Sequence, residues 1–300
     1  MSLEFKFKIY LPSIDEYRYF TQMTNDMFTD IAKIIANRDD DLLDRAFIDM
    51  VGILSSGEVI PSEITRIDMF CILLNIYIMC VKNNVELNLP GSDDLGKQKL
   101  KLDLYDILDK ITNFDFEYTK TVDVNSDMSV HLKAPSMLVS PQTDEIAIDC
   151  IESLTIFSET HKMSGLTPKQ RAKIFESIPS DMINKMIEVM KDIDAEYKLD
   201  IIKYGSEEED KITISLYNNS MFEIIKLIYN QNLQSQYFYT YFLSKHMQLP
   251  NIGLMTPAEI QIFISLFKQE QEEQEKQRKL QEKKSKSGTH LGGELPTGGI

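Results

Sequence analysis

Apolar and polar positions alternate at the start of the chain. Leu3, Phe5, Phe7, Ile9 and Leu11 fall on one side and Glu4, Lys6, Lys8 and Tyr10 on the other, the period-two pattern of a strand with one buried face. The period then lengthens. Met27, Phe28, Ile31, Ile34 and Ile35 recur at helical spacing, as do Leu43, Ala46, Phe47, Met50 and Leu54. Asp39, Asp40 and Asp41 between them read as a turn with N-cap charge.

The most apolar stretch follows, from Ser62 to Lys82 (SEITRIDMFCILLNIYIMCVK). Between Met69 and Val81 only Asn75 is polar, so a helix here must be covered on nearly every side. Ser62 is the expected N-cap, Glu63 suits the positive end of the helix dipole, and Lys82, Asn83 and Asn84 mark the stop. About a dozen buried side chains at about 1.5–3 kcal/mol each contribute tens of kcal/mol before entropy is subtracted, enough to centre a core. The run falls short of the roughly 20 residues that span a bilayer, which makes it a core helix and not a membrane span.

Further on, Val85, Leu87 and Leu89 alternate, as do Leu100 and Leu102. Phe114 to Val124 and Met128 to Leu132 flank the turn residues Asn125, Ser126 and Asp127. A small antiparallel sheet is expected, with a short helix near Tyr105 to Ile111, and a domain boundary near residue 140 between Pro135 and Pro141. The remainder reads as mainly helical. Ile146, Ile148, Ile151, Leu154, Ile156 and Phe157 predict one helix, and Met182, Ile183, Met186, Ile187, Met190 and Ile193 another. Thr167 to Gln170 and Thr256 to Glu259 each spell a capping box with proline at the first helical position. A hairpin is expected near 198–216, its tip the acidic run Glu207 to Asp210. From Lys268 an exposed charged helix carries Glu272 with Lys276 and Glu275 with Lys279 at the favourable spacing. The last stretch, SGTHLGGELPTGGI, has the composition of a free, disordered tail. The expected class is α+β, divided into 1–140, 141–267 and 268–300.

Composition narrows the chemistry. A net charge of -15 over 300 residues opposes nonspecific binding to nucleic acid or anionic lipid. Cys71, Cys80 and Cys150, with no leader segment, fit a reducing compartment and no disulfide framework. Gly91 to Gln98 imitates a phosphate-cradling loop around Lys97. Gln98 stands where magnesium needs a hydroxyl, however, Asp93 and Asp94 would repel phosphate, and strand-like alternation follows. Cys71 and Cys80 lie on opposite helix faces, and Cys150 and His161 sit three turns apart on their expected helix. His131, His161, His246 and His290 are scattered and show no zinc spacing. Asp192, Asp194 and Glu196 open like a calcium loop, but Tyr197 and Lys203 stand where glycine and glutamate are needed. Tyr237, Phe238, Tyr239, Tyr241 and Phe242 could stack bases, yet no basic residue interleaves before Lys245, so packing or a partner interface is the preferred reading. No catalytic, metal or cofactor constellation emerges.

Four segments in order, KFKIYLPS, TRIDMFCILLNIYIMCVKNNVEL, LKLDLYDILDKI and VHLKAPS, resemble the baseplate hub proteins of T-even-type tailed bacteriophages, and the C-terminal MTPAEIQIFISLFKQEQEEQEK is similar to the way several phage tail-assembly proteins finish. The likeness spans residues 1 to 160 and, more loosely, the rest. It implies a non-enzymatic virion or assembly component, without cofactor, found in the tail baseplate and in the host cytoplasm during assembly. Its implied partners are other baseplate and tail proteins, with room for oligomerisation in the hub. Leu280, Leu291, Leu295 and Ile300 are the apolar points on which such a tail could order against a partner. A tail-assembly chaperone absent from the mature particle is the alternative, and a nucleotide-binding factor using residues 91–98 a more distant one.

Overall fold

The computed structural model describes residues 5–88, 99–113, 119–134, 150–163, 166–196, 198–202, 211–215, 220–230, 233–247, 249 and 251–288. The chain is α+β. Its first strand, β1 (Lys6–Leu11), buries Phe7, Ile9 and Leu11 as the alternation requires. A tight turn leads into β2 (Glu16–Thr21), with Phe7 paired to Phe20 and Tyr10 to Tyr17. Aromatic residues fall on both faces of β2, which hid it from a period-two reading. Asp15 takes the turn's positive φ of 52°, and the Tyr10 hydroxyl donates to its Oδ1 at 2.7 Å.

Helices α1 (Asn25–Asn37) and α2 (Asp40–Leu54) begin on side-chain caps. The Thr24 hydroxyl accepts from Met27 N–H at 3.3 Å and Asp39 from Leu42 N–H at 3.0 Å. The central helix, α3 (Arg66–Cys80), starts three residues later than its sequence suggested. Pro61, Ser62 and Glu63 form a turn, and Thr65, not Ser62, is the N-cap. Asp68 decides this. It stands three residues after Thr65, where its carboxylate accepts from Thr65 N–H at 2.7 Å and closes a capping box. From Ile67 onward α3 is buried almost everywhere, Asn75 being half-buried with its amide donating to the Cys71 carbonyl at 2.8 Å.

Strands β3 (Asn84–Asn88) and β4 (Lys99–Asp103) pair antiparallel and lead into α4 (Leu104–Thr112). Residues 91–98 lie outside the described residues, but the chain leaving them enters a strand and not a phosphate-facing helix. Beyond α4, β5 (Thr119–Asn125), β6 (Met128–Lys133), β7 (Ile151–Ile156) and β8 (Glu159–Lys162) form a four-stranded antiparallel sheet in that order. The helix expected from Ile146 to Phe157 is instead a strand over Ile151–Ile156, residues 146–149 lying outside the described residues. Spacings of three, two and one between its apolar residues suit a helix or a bulged strand equally, and pairing with β6, irregular between His131 and Leu132, selects the strand. Phe157 and Ser158, both at positive φ (48° and 74°), make the two-residue turn into β8. Cys150 is buried before β7 while His161 is exposed on β8, so the helical separation inferred for them does not exist.

The chain continues through α5 (Pro168–Ser177), α6 (Ser180–Glu196), the hairpin β9 (Lys198–Ile202) and β10 (Lys211–Ser215), α7 (Ser220–Asn230), α8 (Leu233–Phe242) and α9 (Pro257–Gly288). The capping boxes Thr167–Gln170 and Thr256–Glu259 both form, with backbone-to-carboxyl or amide oxygen distances of 2.9 and 2.7 Å. The acidic tip 207–210, Met190 to Glu196 side chains and residues 289–300 lie outside the described residues.

One set of buried side chains runs from Phe7 to Tyr229 with α3 in its middle. Tyr229, on α7, is fully enclosed. Its ring lies 5.1 Å from that of Tyr77, 6.0 Å from Phe28 and 5.6 Å from Phe47, and its hydroxyl donates to the Leu73 carbonyl at 2.9 Å. A second, smaller cluster of Leu243, Ile252, Ile260 and Ile264 joins α8 to α9.

Candidate partner interface

The aromatic run of α8 divides by helical geometry. Residues three and four apart share a face, so Tyr239 and Phe242 turn inward to the small cluster while Phe238 and Tyr241, 61% and 60% exposed, turn outward. Phe238 and Phe242 stack at 6.1 Å, and Phe242 meets the edge of Phe267 from α9 at 4.9 Å. Together with Ile264 these rings line an apolar groove of about 500 Å3 between the two helices.

A polar hollow of about 220 Å3 continues the groove, sharing Ser235, Tyr239, Ile264 and Lys268 with it. Lys82, Gln236, Gln261 and Ser265 complete its wall. Lys82 follows α3, and burial pulls its ammonium below the ordinary pKa, an effect that Glu86 opposes. Lys268 lies 6.0 Å from the centre of the Tyr239 ring, Lys33 5.7 Å from Tyr237 and Lys245 5.3 Å from Tyr241. The cluster that looked uncharged along the sequence is thus bordered by four lysines, three of them brought by other elements. Lys33 comes from α1, Lys82 from the end of α3 and Lys268 from α9.

Helix α8 is fixed to α1 through buried polar groups. Gln236 donates from Nε2 to Asn25 Oδ1 at 2.7 Å, and Asn25 donates from Nδ2 to Thr240 Oγ1 at 3.2 Å. The Asn25 N–H donates to the Met255 carbonyl at 2.7 Å. Gly253 lies beside this joint, and a side chain there would have to push the exposed Asp26 carboxylate aside.

Of the tail positions singled out from sequence, Leu280 is 58% exposed on α9, whereas Leu291, Leu295 and Ile300 lie outside the described residues. The groove-lining Phe238, Phe242, Ile264 and Phe267 were not among them. The aromatic run was their only sequence signal, since the helix that completes the groove lies some 20 residues away in sequence. Residues 268–282 are exposed throughout, and Glu275 pairs with Lys279 at 2.7 Å as the spacing predicts.

Chemistry elsewhere is muted. Burial pushes the Cys80 thiol up to about 11 and Cys71 higher still, so neither is a ready thiolate. Among the described residues no group of His, Cys, Asp and Glu is arranged to hold a metal ion, and no helix is long and apolar enough to cross a membrane.

These features describe an α+β protein that carries an apolar groove with a charged flank between α8 and α9. Residues 2–221 match the family model described as T4 bacteriophage base plate protein, and the chain belongs to that family. Membership makes it a structural protein of the phage tail baseplate, with other tail proteins as its neighbours. No curated protein and no solved structure matches it. The match ends at the start of α7, so the groove between α8 and α9 lies beyond it apart from Lys82.

Proposed function

We propose that this chain is a non-enzymatic component of the baseplate hub or of its assembly, binding other hub and tail proteins through its C-terminal helices and tail. The observation that carries the reading is the concentration of exposed apolar surface on α8 and α9, together with the charged stretch of α9 over residues 268–282, which is exposed throughout. A 32-residue helix extends about 48 Å at 1.5 Å per residue, and its outer half makes a reachable docking arm. Leu280 and the apolar residues Leu291, Leu295 and Ile300 are the contacts such an arm would offer.

Deleting residues 282–300 tests this. The truncated chain is expected to melt like the full chain but to support hub assembly poorly, and normal assembly would remove the tail from the mechanism. Mass spectrometry of purified particles separates a retained hub component from an escorting chaperone of the host cytoplasm, which would be missing from them. Binding of ATP that vanished on Lys97→Ala would revive the nucleotide reading; the β3–β4 pairing around residues 91–98 weighs against it.

A further inference from the structure

We infer that the groove between α8 and α9 captures an acidic, apolar peptide segment of a tail partner, the apolar side chain seating between rings and the carboxylate meeting lysines. The inference rests on the interface reading above and names its ligand.

Two adjoining spaces of opposite character set the chemistry. Phe238, Phe242, Ile264 and Phe267 present carbon to the larger one, where an aromatic or branched aliphatic side chain would lose its water. Lys82 and Lys268 flank the smaller, and among the described residues neither is shown in an ion pair. Lys82 is half-buried at the wall of this hollow, where an incoming carboxylate would add to the partial compensation that Glu86 gives its charge. The Gln236 side-chain oxygen, buried in the same wall without a hydrogen-bond partner, offers an acceptor to a peptide N–H.

Charge also selects the ligand. On a chain of net charge -15, Lys82, Lys245 and Lys268 beside the aromatic run, with Lys33 there already paired to Asp30 at 2.8 Å, form a local concentration of positive charge. It attracts short acidic segments, whereas a long polyanion would meet the acidic remainder of the surface.

A random 12-residue peptide library selected on the full chain provides the probe. Recovered peptides are expected to pair an aromatic or aliphatic residue with Asp or Glu. In fluorescence anisotropy they should lose at least tenfold in affinity on Lys268→Glu and on Phe238→Ala, but not on the remote Lys185→Glu. Both altered side chains are exposed, and unchanged melting curves would confirm that the fold is kept. Peptides without acidic enrichment, or binding indifferent to both groove substitutions, would overturn the inference. So would tighter binding of a dT20 oligonucleotide than of the best peptide, which would assign the patch to single-stranded nucleic acid. If the groove fails this test while the 282–300 deletion still blocks assembly, only the ligand assignment falls. If the groove binds but neither deletion nor Lys268→Glu affects assembly, the hub reading falls and the peptide site stands.

Discussion

Asp68 is a carboxylate with four donors around it: the Ser13 N–H and hydroxyl, and the Thr65 N–H and hydroxyl. It both caps α3 and pins the β1–β2 turn to the helix start. Because it is fully buried, removing it strands these donors away from water. Asp68→Ala is expected to cost about 2–4 kcal/mol in urea unfolding, and Ser13→Ala only about 1 kcal/mol. Tyr229 plays the corresponding part for α7. Tyr229→Phe should cost about 1 kcal/mol for the bond to Leu73, and Tyr229→Ala about 3–5 kcal/mol through the cavity left among Tyr77, Phe28 and Phe47. Burial raises the Tyr229 hydroxyl well above its ordinary pKa and the Cys80 thiol to about 11. The unfolded chain releases these protons at lower pH than the folded one, so the stability they contribute is intact below pH ~8.5 and lost as pH rises. The urea midpoint should therefore fall between pH ~8.5 and ~11, and Cys80→Ala should flatten the first part of that decline.

At the scale of elements, the position of the α3 N-cap is directly testable. Thr65→Ala should cost about 1 kcal/mol and Ser62→Ala almost nothing, whereas equal effects would restore the earlier start read from Pro61 and Ser62. Leu73 and Leu74 lie on a helix buried all round, so aspartate at either should leave the chain unfolded or insoluble, as far-UV circular dichroism of the purified variants would show. The long helix α9 differs. Its inner turns are tied down by Ile260 and Ile264, while residues 268–282 touch little else, and the Glu275–Lys279 pair is too exposed to matter much for stability.

Across the whole molecule, the parts readable in advance were those in which a local rule coincided with the final environment. β1, α1, α2, the β9–β10 hairpin and both later capping boxes needed only their own residues, because alternation, 3.6-residue periodicity and cap spacing are properties of adjacent positions. The region 151–157 failed for the reverse reason: its apolar spacing satisfied two periods, and a neighbouring strand more than ten residues upstream settled which applied. The interface was half legible. Tyr237 to Phe242 announced an aromatic surface, but Lys33, Lys82 and Lys268 reach it from three other elements, and charge brought together by folding leaves no trace in a local window.

By itself, then, the order of residues determined the α+β class, the burial of α3 and the exposed charged helix at the end, each following from local hydrophobic period and capping chemistry. Only the tertiary structure decided that Asp68 also pins the β1–β2 turn through Ser13, that Tyr229 closes the core, and that the aromatic run borders lysines in a groove. Those outcomes depend on contacts between positions tens to hundreds of residues apart, where the free energy of burial, and not local propensity, makes the choice.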